Sequence, residues 1–264
     1  MSEIAVCVSN QNEIVTPIET INAVCEAGFK NVFVQWYDRY DLDMSQAEQV
    51  RELQKRGINI IFAHLGYTDM EDFWTNEESC KSRIDRFIKD LDDLKEIGIT
   101  TACMHVLGHH ETSTSEFGFR EFKRLVRHAK EIGVNLTFEN TIQKGILEEV
   151  FDYVKDEGAG ICVDVGHINC KFNGEFDYDH FKDAVRCVHI HDNLGPTKDL
   201  HLLPFDGVID YTDTFKKLKS TGYDSYVTME LIYQGRYTSM DVKDFYKEGY
   251  QRGLKLQEIF DSIS

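Results

Sequence analysis

Short apolar runs in the second half of the chain end in side chains that can bind a metal. The runs NLTFEN, ICVDVGH, RCVHIH and SYVTME each carry a carboxylate or an imidazole at or near the last residue. In chain order these side chains are Glu139, Asp164, His167, His189, His191 and Glu230. Carboxylate oxygens and imidazole nitrogens are common ligands of divalent metals. If the runs end at one place in the fold, they predict a metal site.

Histidines elsewhere in the chain follow a related pattern. His64 and His105 lie in the apolar runs NIIFAHL and TACMHVL, and His201 follows Asp199 by two residues in the segment after RCVHIH. One histidine at such a position is more often a structural residue than a ligand. Several histidines at the same edge of a fold favour a metal site, and we predict one.

The three carboxylates have alternative roles that must be weighed. Glu139 and Glu230 close apolar runs, where a charge is costly unless it is paired or bound to a cation. A buried ion pair with an Arg or Lys is the alternative, yet neither run has a basic residue close to it in sequence. Asp164 could instead cap a following helix. We favour ligand roles for all three carboxylates.

The elements that must position these residues follow a repeating pattern of strand and helix. Helical periodicity is clearest over residues 80–98, 115–133 and 211–222, and each stretch ends in a glycine that can cap a helix. The predicted strands are 4–9, 31–36, 59–65, 101–107, 135–140, 160–166, 186–192 and 225–231. Strands that alternate with helices predict a single-domain (β/α)8 TIM barrel over residues 1–264, with the site at the carboxyl ends of its strands. A doubly wound sheet is the alternative, which the lack of G-x-G-x-x-G after the first strand disfavours.

Composition and charge argue against several other classes of protein. The 264 residues are 42% hydrophobic, enough to bury a full core, and the net charge of −17 argues against a broad contact with nucleic acid. No apolar run approaches the roughly 20 residues that span a bilayer, and the N-terminus lacks a basic-then-apolar leader. We therefore expect a cytoplasmic protein with no membrane partner. The seven cysteines include no C-x-x-C pair, which favours buried free thiols over disulfides or a zinc-thiolate site.

The spaced motifs FEN, VDVGH, VHIHDN, DLHLLPFDGVIDY and VTMEL resemble those of the xylose-isomerase-like barrel superfamily. This superfamily groups isomerases and epimerases of sugars and sugar phosphates with apurinic-site endonucleases of family 2. The likeness covers nearly the whole chain and is strongest over residues 134–231. It implies that the principal metal is held by Glu139, Asp164, His189 and Glu230. In the motif H-I-H-D the implied ligand is the histidine three places before the acid, which leaves His191 in contact with a ligand or with the substrate.

The isomerase branch of this superfamily implies proton transfer through a metal-bound enediolate. Glu139 and Glu230 would move the proton, and His167 would hydrogen-bond a substrate hydroxyl. Three further residues are predicted to contact the substrate: Trp36 and Tyr67 as an apolar wall, and Lys198 in place of a family arginine. This chain has Gly145 and Gly195 where the ketohexose epimerases carry an acid and an arginine, so a free ketohexose is not the favoured substrate.

The endonuclease branch implies a wider set of ligands and up to three metals. The additional ligands in this chain would be His64, His105, His167, Asp199 and His201. The alternative function is therefore metal-dependent phosphodiester hydrolysis at apurinic DNA sites. The loops 9–15, 37–45 and 66–78 argue against DNA, since they are acidic and Arg39 is their one basic residue.

We therefore expect a metal-dependent isomerase or epimerase that acts on a small sugar or a polyol-derived substrate. Mn, Zn, Co and Mg all suit the ligands, with one site favoured and three as the upper bound. Assembly into homo-oligomers is expected of an acidic barrel of this kind. A non-catalytic barrel that binds a sugar or a metal is a further alternative, disfavoured because both Glu139 and Glu230 are present.

Overall fold

Eight strands alternate with eight helices in the computed structural model of the chain. The structure describes residues 2–9, 14–37, 43–68, 70, 72–172, 174–196 and 198–263. Arg39, named above as the basic residue of its loop, lies outside these ranges. The strands are β1 Ile4–Val8, β2 Asn31–Trp36, β3 Asn59–Leu65, β4 Thr101–His105, β5 Asn135–Glu139, β6 Gly160–Asp164, β7 Val185–His189 and β8 Val227–Met229.

The helices fill the intervals between the strands and follow the last one. They are α1 Pro17–Ala27, α2 Gln46–Lys55, α3 Glu77–Glu96, α4 Glu116–Ile132, α5 Ile146–Val154, α6 Val165–Lys171, α7 Tyr211–Ser220 and α8 Val242–Ser262. Short 3-10 turns cover Lys155–Glu157 and Gly235–Ser239. The glycines at the ends of the three clearest periodic stretches, Gly98, Gly133 and Gly222, have φ of 87°, 70° and 87°. Gly133 caps α4, whereas Gly98 and Gly222 lie two residues after the last residues of α3 and α7, where this left-handed conformation ends the helical path.

All the strand pairings of the sheet are parallel, in the order β7-β6-β5-β4-β3-β2-β1-β8. A single parallel bridge between Ile190 and Met229 joins the two outer strands. There the Ile190 amide donates to the Thr228 carbonyl at 2.9 Å, and the Glu230 amide donates to the Ile190 carbonyl at 3.0 Å. The sheet is therefore a nearly closed barrel, and the predicted single-domain (β/α)8 fold is confirmed. Because the strands are parallel, their carboxyl ends share one rim.

Several predicted strands end earlier in the structure than expected. The stretch 160–166 stops at Asp164 because that residue caps α6, which begins at the next position. The stretch 225–231 forms only β8, Val227–Met229, and the stretch 101–107 stops at His105. Each of these strands thus ends at a predicted site residue or directly before one, and the backbone beyond it is irregular or helical. The side chains at those positions face the rim.

Two apolar clusters form the core. The larger lies mainly between the strands and the surrounding helices, and the smaller fills the barrel interior with Cys7, Phe33, Phe62, Cys103, Cys162 and Cys187. All seven cysteines are free, as the sequence predicts for a chain without a disulfide framework. Within the described ranges, no helix has both the length and the apolar character needed to cross a membrane.

Candidate metal centre

Four of the predicted ligands meet at the rim of the barrel. Glu139, Asp164 and His189 are the last residues of β5, β6 and β7, and the chain reaches Glu230 directly after β8. Nδ1 of His189 lies 3.2 Å from Oε2 of Glu139, and 3.8 Å from Oδ2 of Asp164. The same nitrogen lies 3.8 Å from Oε2 of Glu230. An oxygen of each of the three carboxylates therefore lies within 4 Å of one nitrogen of His189.

The chemistry of this group fits a divalent cation. All four side chains are buried, and neither ring nitrogen of His189 has a hydrogen-bond partner. The ion pairs recorded for the three carboxylates in the described part of the chain are with imidazoles, so no buried lysine or arginine compensates them. Buried carboxylates without such a partner are stabilised by a metal ion. The oxygen and nitrogen donors suit Mn, Co, Zn or Mg.

A second group of donors includes His64 and His105 and shares Glu139. Their Nε2 atoms lie 3.1 Å and 3.5 Å from Oε2 of that carboxylate. The Nδ1 atom of His64 is 2.8 Å from the Leu65 carbonyl, so Nδ1 carries the proton that it donates there. Nδ1 is therefore engaged with the backbone, and Nε2 is the nitrogen that faces Glu139 and would bind a cation.

A third group combines His167, Asp199 and His201. Nε2 of His167 lies 3.0 Å from Oδ2 of Asp199, and Nε2 of His201 lies 3.1 Å from the same oxygen. His201 has φ of 44°, a left-handed conformation that is strained for a residue other than glycine. Such strain is stored preferentially at functional sites. The third group therefore lies on a loop that holds an unfavourable backbone conformation.

The His191 side chain contacts a candidate ligand and not the open cavity. Its Nε2 lies 3.1 Å from Oδ2 of Asp164, while the Asn193 amide donates to its Nδ1 at 3.4 Å. The residue is fully buried. A Cβ atom at Gly166 would lie 2.1 Å from Cε1 of His191, so only glycine allows the imidazole to reach Asp164. Of the two predicted roles, His191 has the contact with a ligand.

Asp164 has both of the roles that the sequence left open. Its Oδ1 accepts a hydrogen bond of 2.7 Å from the His167 amide, which makes it the N-cap of α6. The second oxygen, Oδ2, faces His191 and His189. The cap fixes the rotation of the carboxylate, and this rotation directs Oδ2 towards the candidate metal position.

Burial and mutual attraction shift the pKa values of these groups in opposite directions. Burial alone would raise the pKa of Glu139, but the imidazoles of His189 and His105 outweigh it and hold this pKa well below its usual range. Burial alone would lower the pKa of His189, yet Glu139 and Glu230 raise it to about 10. The pKa of His201 is raised to about 9, because Asp199 and Glu230 outweigh its burial. Without a cation, the imidazole protons balance the carboxylates, and a cation has to displace them.

A cavity of about 280 Å³ opens above the three groups. Its lining includes Tyr67, Glu139, His167 and Glu230, together with Lys171, which was not predicted. The remaining lining residues are Gln35, His64, His105, Gly108, His109, Thr141, Ile142, Asp199, His201, Ile232 and Gln234. The ring of Tyr67 stacks on His105 with 4.3 Å between centroids, so the predicted aromatic wall is present at this position.

Two predicted substrate contacts lie elsewhere. Trp36 lines a separate surface pocket with Arg86 and Lys89 of α3, because alternation along β2 turns Gln35 inward and Trp36 outward. Lys198 is exposed and does not line the cavity. The role of Lys198 as a replacement for the family arginine stays a prediction. Lys171, at the end of α6, is the one lysine or arginine among the described residues that line the cavity.

A comparison with protein-family models decides the family. Residues 21–256 match the model described as xylose isomerase-like TIM barrel. The chain belongs to this family. The resemblance inferred from the strand-end motifs is thus confirmed over most of the length. The match extends from α1 into α8, so the matched region contains strands β2 to β8.

Individual relatives are distant. An uncharacterized protein of Sinorhizobium fredii (strain NBRC 101917 / NGR234), y4fM, is 28% identical over 151 residues, which is 54% of this chain. The match spans 48% of y4fM, about half of its length. A solved D-tagatose 3-epimerase-like protein superposes with a TM-score of 0.75 at 20% identity, covering 99% of this chain and 98% of that one. A solved L-ribulose 3-epimerase gives a TM-score of 0.73 at 15% identity, with 99% and 97% covered.

Three buried residues of this family member were missed by sequence reasoning, although they organise the site. Asn140 and Asn193 bond to the backbone around the candidate ligands. The carboxylate of Asp192 accepts from the amides of Asn193, Phe205 and Ile209, and thereby shapes the loop that carries Asp199 and His201. The signal was present in FEN and HIHDN, where a short polar side chain follows a ligand at a buried strand end.

Proposed function

We propose that this chain is a divalent-cation-dependent isomerase or epimerase of a small sugar or sugar phosphate. The observation that carries the proposal is that Glu139 and Glu230 line one small cavity and both contact His189. The superposable proteins described as epimerases of L-ribulose and, by likeness, of D-tagatose support the same class. A cavity of about 280 Å³ is close to the lower end of ligand pockets and suits a molecule the size of a monosaccharide.

The cation is proposed to be held by Glu139, Asp164, His189 and Glu230. When bound, it would polarise a carbonyl group and stabilise negative charge that develops on oxygen. The fit rests on the nitrogens of His189, which have no hydrogen-bond partner, and on three buried carboxylates whose recorded ion pairs are with imidazoles. His191 and Asn140 would keep Asp164 in place, the first at the carboxylate and the second at the backbone.

Glu230 is the better candidate to remove the substrate proton. Oxygens of Glu139 face four imidazoles, and its lowered pKa makes this carboxylate a weak base. Oε2 of Glu230 has imidazole contacts only at 3.8 Å and 3.7 Å, from His189 and His201. The two carboxylates come from β5 and from the end of β8, on different sides of the barrel. Glu139 is therefore positioned to exchange a proton with another face of the substrate.

Proton exchange at carbon tests this function directly. The chain, loaded in turn with Mn²⁺, Co²⁺, Zn²⁺ or Mg²⁺, is incubated in deuterated water with a panel of ketoses, aldoses and their phosphates. We expect deuterium to enter a sugar carbon, detected by mass spectrometry and NMR, and to be lost with Glu230→Gln. If no sugar exchanges while the cation is bound with full occupancy, the proposal is wrong.

One observation favours a second function, phosphodiester hydrolysis at apurinic DNA sites. The groups around His64 with His105, and around Asp199 with His201, exceed what a single cation needs. Three cations clamping a phosphate are suited to displacement at phosphorus. The net charge of −17 and the acidic sequence of the segments 9–15, 37–45 and 66–78 argue against binding a duplex. Cleavage of a duplex with one abasic site, together with three cations per chain, would support this alternative.

A further inference from the structure

The barrel interior directly below Glu139 contains thiols that the proposed reaction does not use. Cys103, Cys162 and Cys187 come from β4, β6 and β7, and their exposed fractions are 0%, 0% and 3%. They pack with Phe33 and Phe62 in the cluster that fills the barrel. The Cys103 sulfur lies 3.6 Å from Oε2 of Glu139, so this thiol is in direct contact with a carboxylate of the rim.

Two of these thiols belong to a compact set of donors. One donor atom from each of Cys103, Cys162, Glu139 and His189 lies within 4.8 Å of all the others. Around a tetrahedral Zn²⁺ with a Zn–S bond of about 2.3 Å, neighbouring ligand atoms are about 3.5 to 4 Å apart. The four donors therefore need only a small contraction to bind one ion.

His189 supplies an independent reason to expect a ligand at this depth. The residue is fully buried, and neither Nδ1 nor Nε2 has a hydrogen-bond partner. All the recorded contacts between this ring and carboxylates involve Nδ1. A histidine that binds a metal through one nitrogen almost always bonds a partner through the other. A rim cation alone therefore leaves one nitrogen of His189 unexplained.

Cys187 has a partner of its own. The Thr137 hydroxyl has one proton, and the Ala102 carbonyl accepts it at 3.1 Å. The Cys187 sulfur lies 3.2 Å from the same hydroxyl oxygen. Cys187 therefore contacts Thr137 and lies outside the compact donor set, which leaves Cys103 and Cys162 as the sulfur ligands.

We propose that Cys103, Cys162 and His189, with an oxygen of Glu139, form a second cation site inside the barrel that takes a thiophilic divalent ion such as Zn²⁺ or Cd²⁺. As the ion binds, two sulfur–metal bonds and one nitrogen–metal bond form. Both thiols and the protonated imidazole of His189 each lose a proton to solvent, so three protons leave per ion. The two thiolates and the Glu139 carboxylate offset the charge of the ion, which lowers the cost of burying it in an apolar interior. Thiolate with imidazole is a donor combination of zinc sites.

Occupation of this inner site has a consequence for the rim. Glu139 belongs to both donor sets, so an ion between the thiols withdraws an oxygen of this carboxylate from the rim group. The two sites therefore compete. A thiophilic ion is expected to weaken the binding of Mn²⁺ or Mg²⁺ at the rim, and this competition would make the inner site inhibitory.

Cadmium binding to the full chain, stripped of metal with a chelator, tests the inner site. We expect an ultraviolet charge-transfer band from thiolate to Cd²⁺, and X-ray absorption that counts two sulfur ligands. The double variant Cys103→Ser/Cys162→Ser should lose the band and the sulfur ligands. Cys25→Ser is the matched control, because Cys25 lies on α1 outside the barrel interior and its loss should leave the band unchanged.

Each outcome bears on the inner site. A band that persists in the double variant, or the absence of a band in the parent chain, overturns the proposal. If the double variant does not fold, the single variant Cys162→Ala should reduce the count from two sulfurs to one, and an unchanged count also overturns it. The band reports thiolate ligands without any substrate, so it is independent of whether sugars exchange deuterium.

Discussion

The side-chain amide of Asn140 makes two hydrogen bonds with the backbone of Asp164. Its Nδ2 donates to the Asp164 carbonyl at 2.9 Å, and its Oδ1 accepts from the Asp164 amide at 2.8 Å. Both residues are buried at adjacent strand ends. These two hydrogen bonds fix the position of the Asp164 backbone, and with it the position of the Asp164 carboxylate at the rim. Asn140 therefore controls the geometry of a candidate ligand without being a ligand itself.

Substitution of this amide should affect both stability and cation binding. Asn140→Leu keeps the size of the side chain and leaves the two backbone groups of Asp164 unsatisfied. We expect a loss of about 3 kcal/mol in the free energy of unfolding, measured in urea. Cation affinity, measured by calorimetric titration, should fall about tenfold or more.

Gln143 provides a matched control for Asn140. Its side-chain oxygen accepts from the Thr112 amide at 2.8 Å, and its side-chain nitrogen donates to the Thr112 carbonyl at 2.9 Å. Thr112 is not one of the candidate ligands. Gln143→Leu should lower stability and leave cation affinity unchanged. Equal losses of affinity in both variants would contradict the role given to Asn140.

The contact between Gly166 and His191 predicts a rescue. In Gly166→Ala the new Cβ would overlap the imidazole, so His191 must move away from Asp164. We expect a loss of about 1 to 3 kcal/mol in the free energy of unfolding and a lower cation affinity. Adding His191→Ala should restore much of the stability without restoring the affinity. Recovery of both quantities would indicate that His191 does not position the ligand.

Cation binding should stabilise the fold through the four rim ligands. At a free cation concentration about 100 times Kd, the free energy of unfolding should rise by about 2.7 kcal/mol. Chelation should reverse the increase, as followed by thermal unfolding. Glu230→Gln should abolish most of the effect, whereas Glu258→Gln, at an exposed position of α8, should retain it. A chelated protein with unchanged stability and undiminished activity would count against a cation at the rim.

Lys171 should influence substrate binding more than turnover. Its position in the cavity lining suits an anionic or strongly polar group of the substrate. We expect Lys171→Met to raise KM about tenfold, equivalent to ~1.4 kcal/mol, with little change in kcat. Lys198→Met is the control and should leave both constants unchanged, because Lys198 is exposed away from the cavity. The reverse result would support the sequence-based assignment of Lys198.

Asp206 predicts a dependence of stability on pH. Burial alone would raise its pKa, but hydrogen bonds from Arg252 at 2.6 Å and from the Tyr237 hydroxyl at 2.7 Å hold the pKa below its ordinary value. A lowered pKa in the folded state stabilises the fold above about pH 4, and this contribution is lost as the pH falls through the folded value. Asp206→Asn should therefore be less stable than the parent at about pH 7, with a difference that narrows in acid.

An exposed carboxylate serves as the comparison for Asp206. Asp213→Asn breaks a surface ion pair with Lys217 and should change the free energy of unfolding by less than about 1 kcal/mol. Urea unfolding from about pH 7 to about pH 3 measures all three proteins. A difference between the parent and Asp206→Asn that stays constant over this range would contradict the prediction.

The fold could be predicted because its signals are local. Each strand is a short apolar run, and helices α3, α4 and α7 are followed within two residues by glycines whose positive φ the structure confirms. Alternation of strand and helix leaves few topologies, and parallel strands bring their carboxyl ends to one rim. The strand ends were less predictable, since a cap such as Asp164 stops β6 through a side-chain contact that periodicity does not contain.

The direction in which individual side chains point could not be read from the sequence. Trp36 lies at the correct strand end but faces outward, because Gln35 occupies the inward position. Lys198 lies in the correct loop, yet Lys171 reaches the cavity instead. The position of a residue along the chain indicates at which end of the barrel it lies. A shift of one residue along a strand decides whether its side chain faces the interior or the outside.

The sequence by itself determined the barrel and the set of donor side chains, because strand periodicity and residue type are properties of short segments. Only the tertiary structure decided which donors share a point in space. Glu139 meets the imidazoles of His64, His105, His167 and His189, and the thiol of Cys103 as well. These groups come from four different elements, β3, β4, α6 and β7, and closure of the barrel brings them within a few ångströms of one carboxylate.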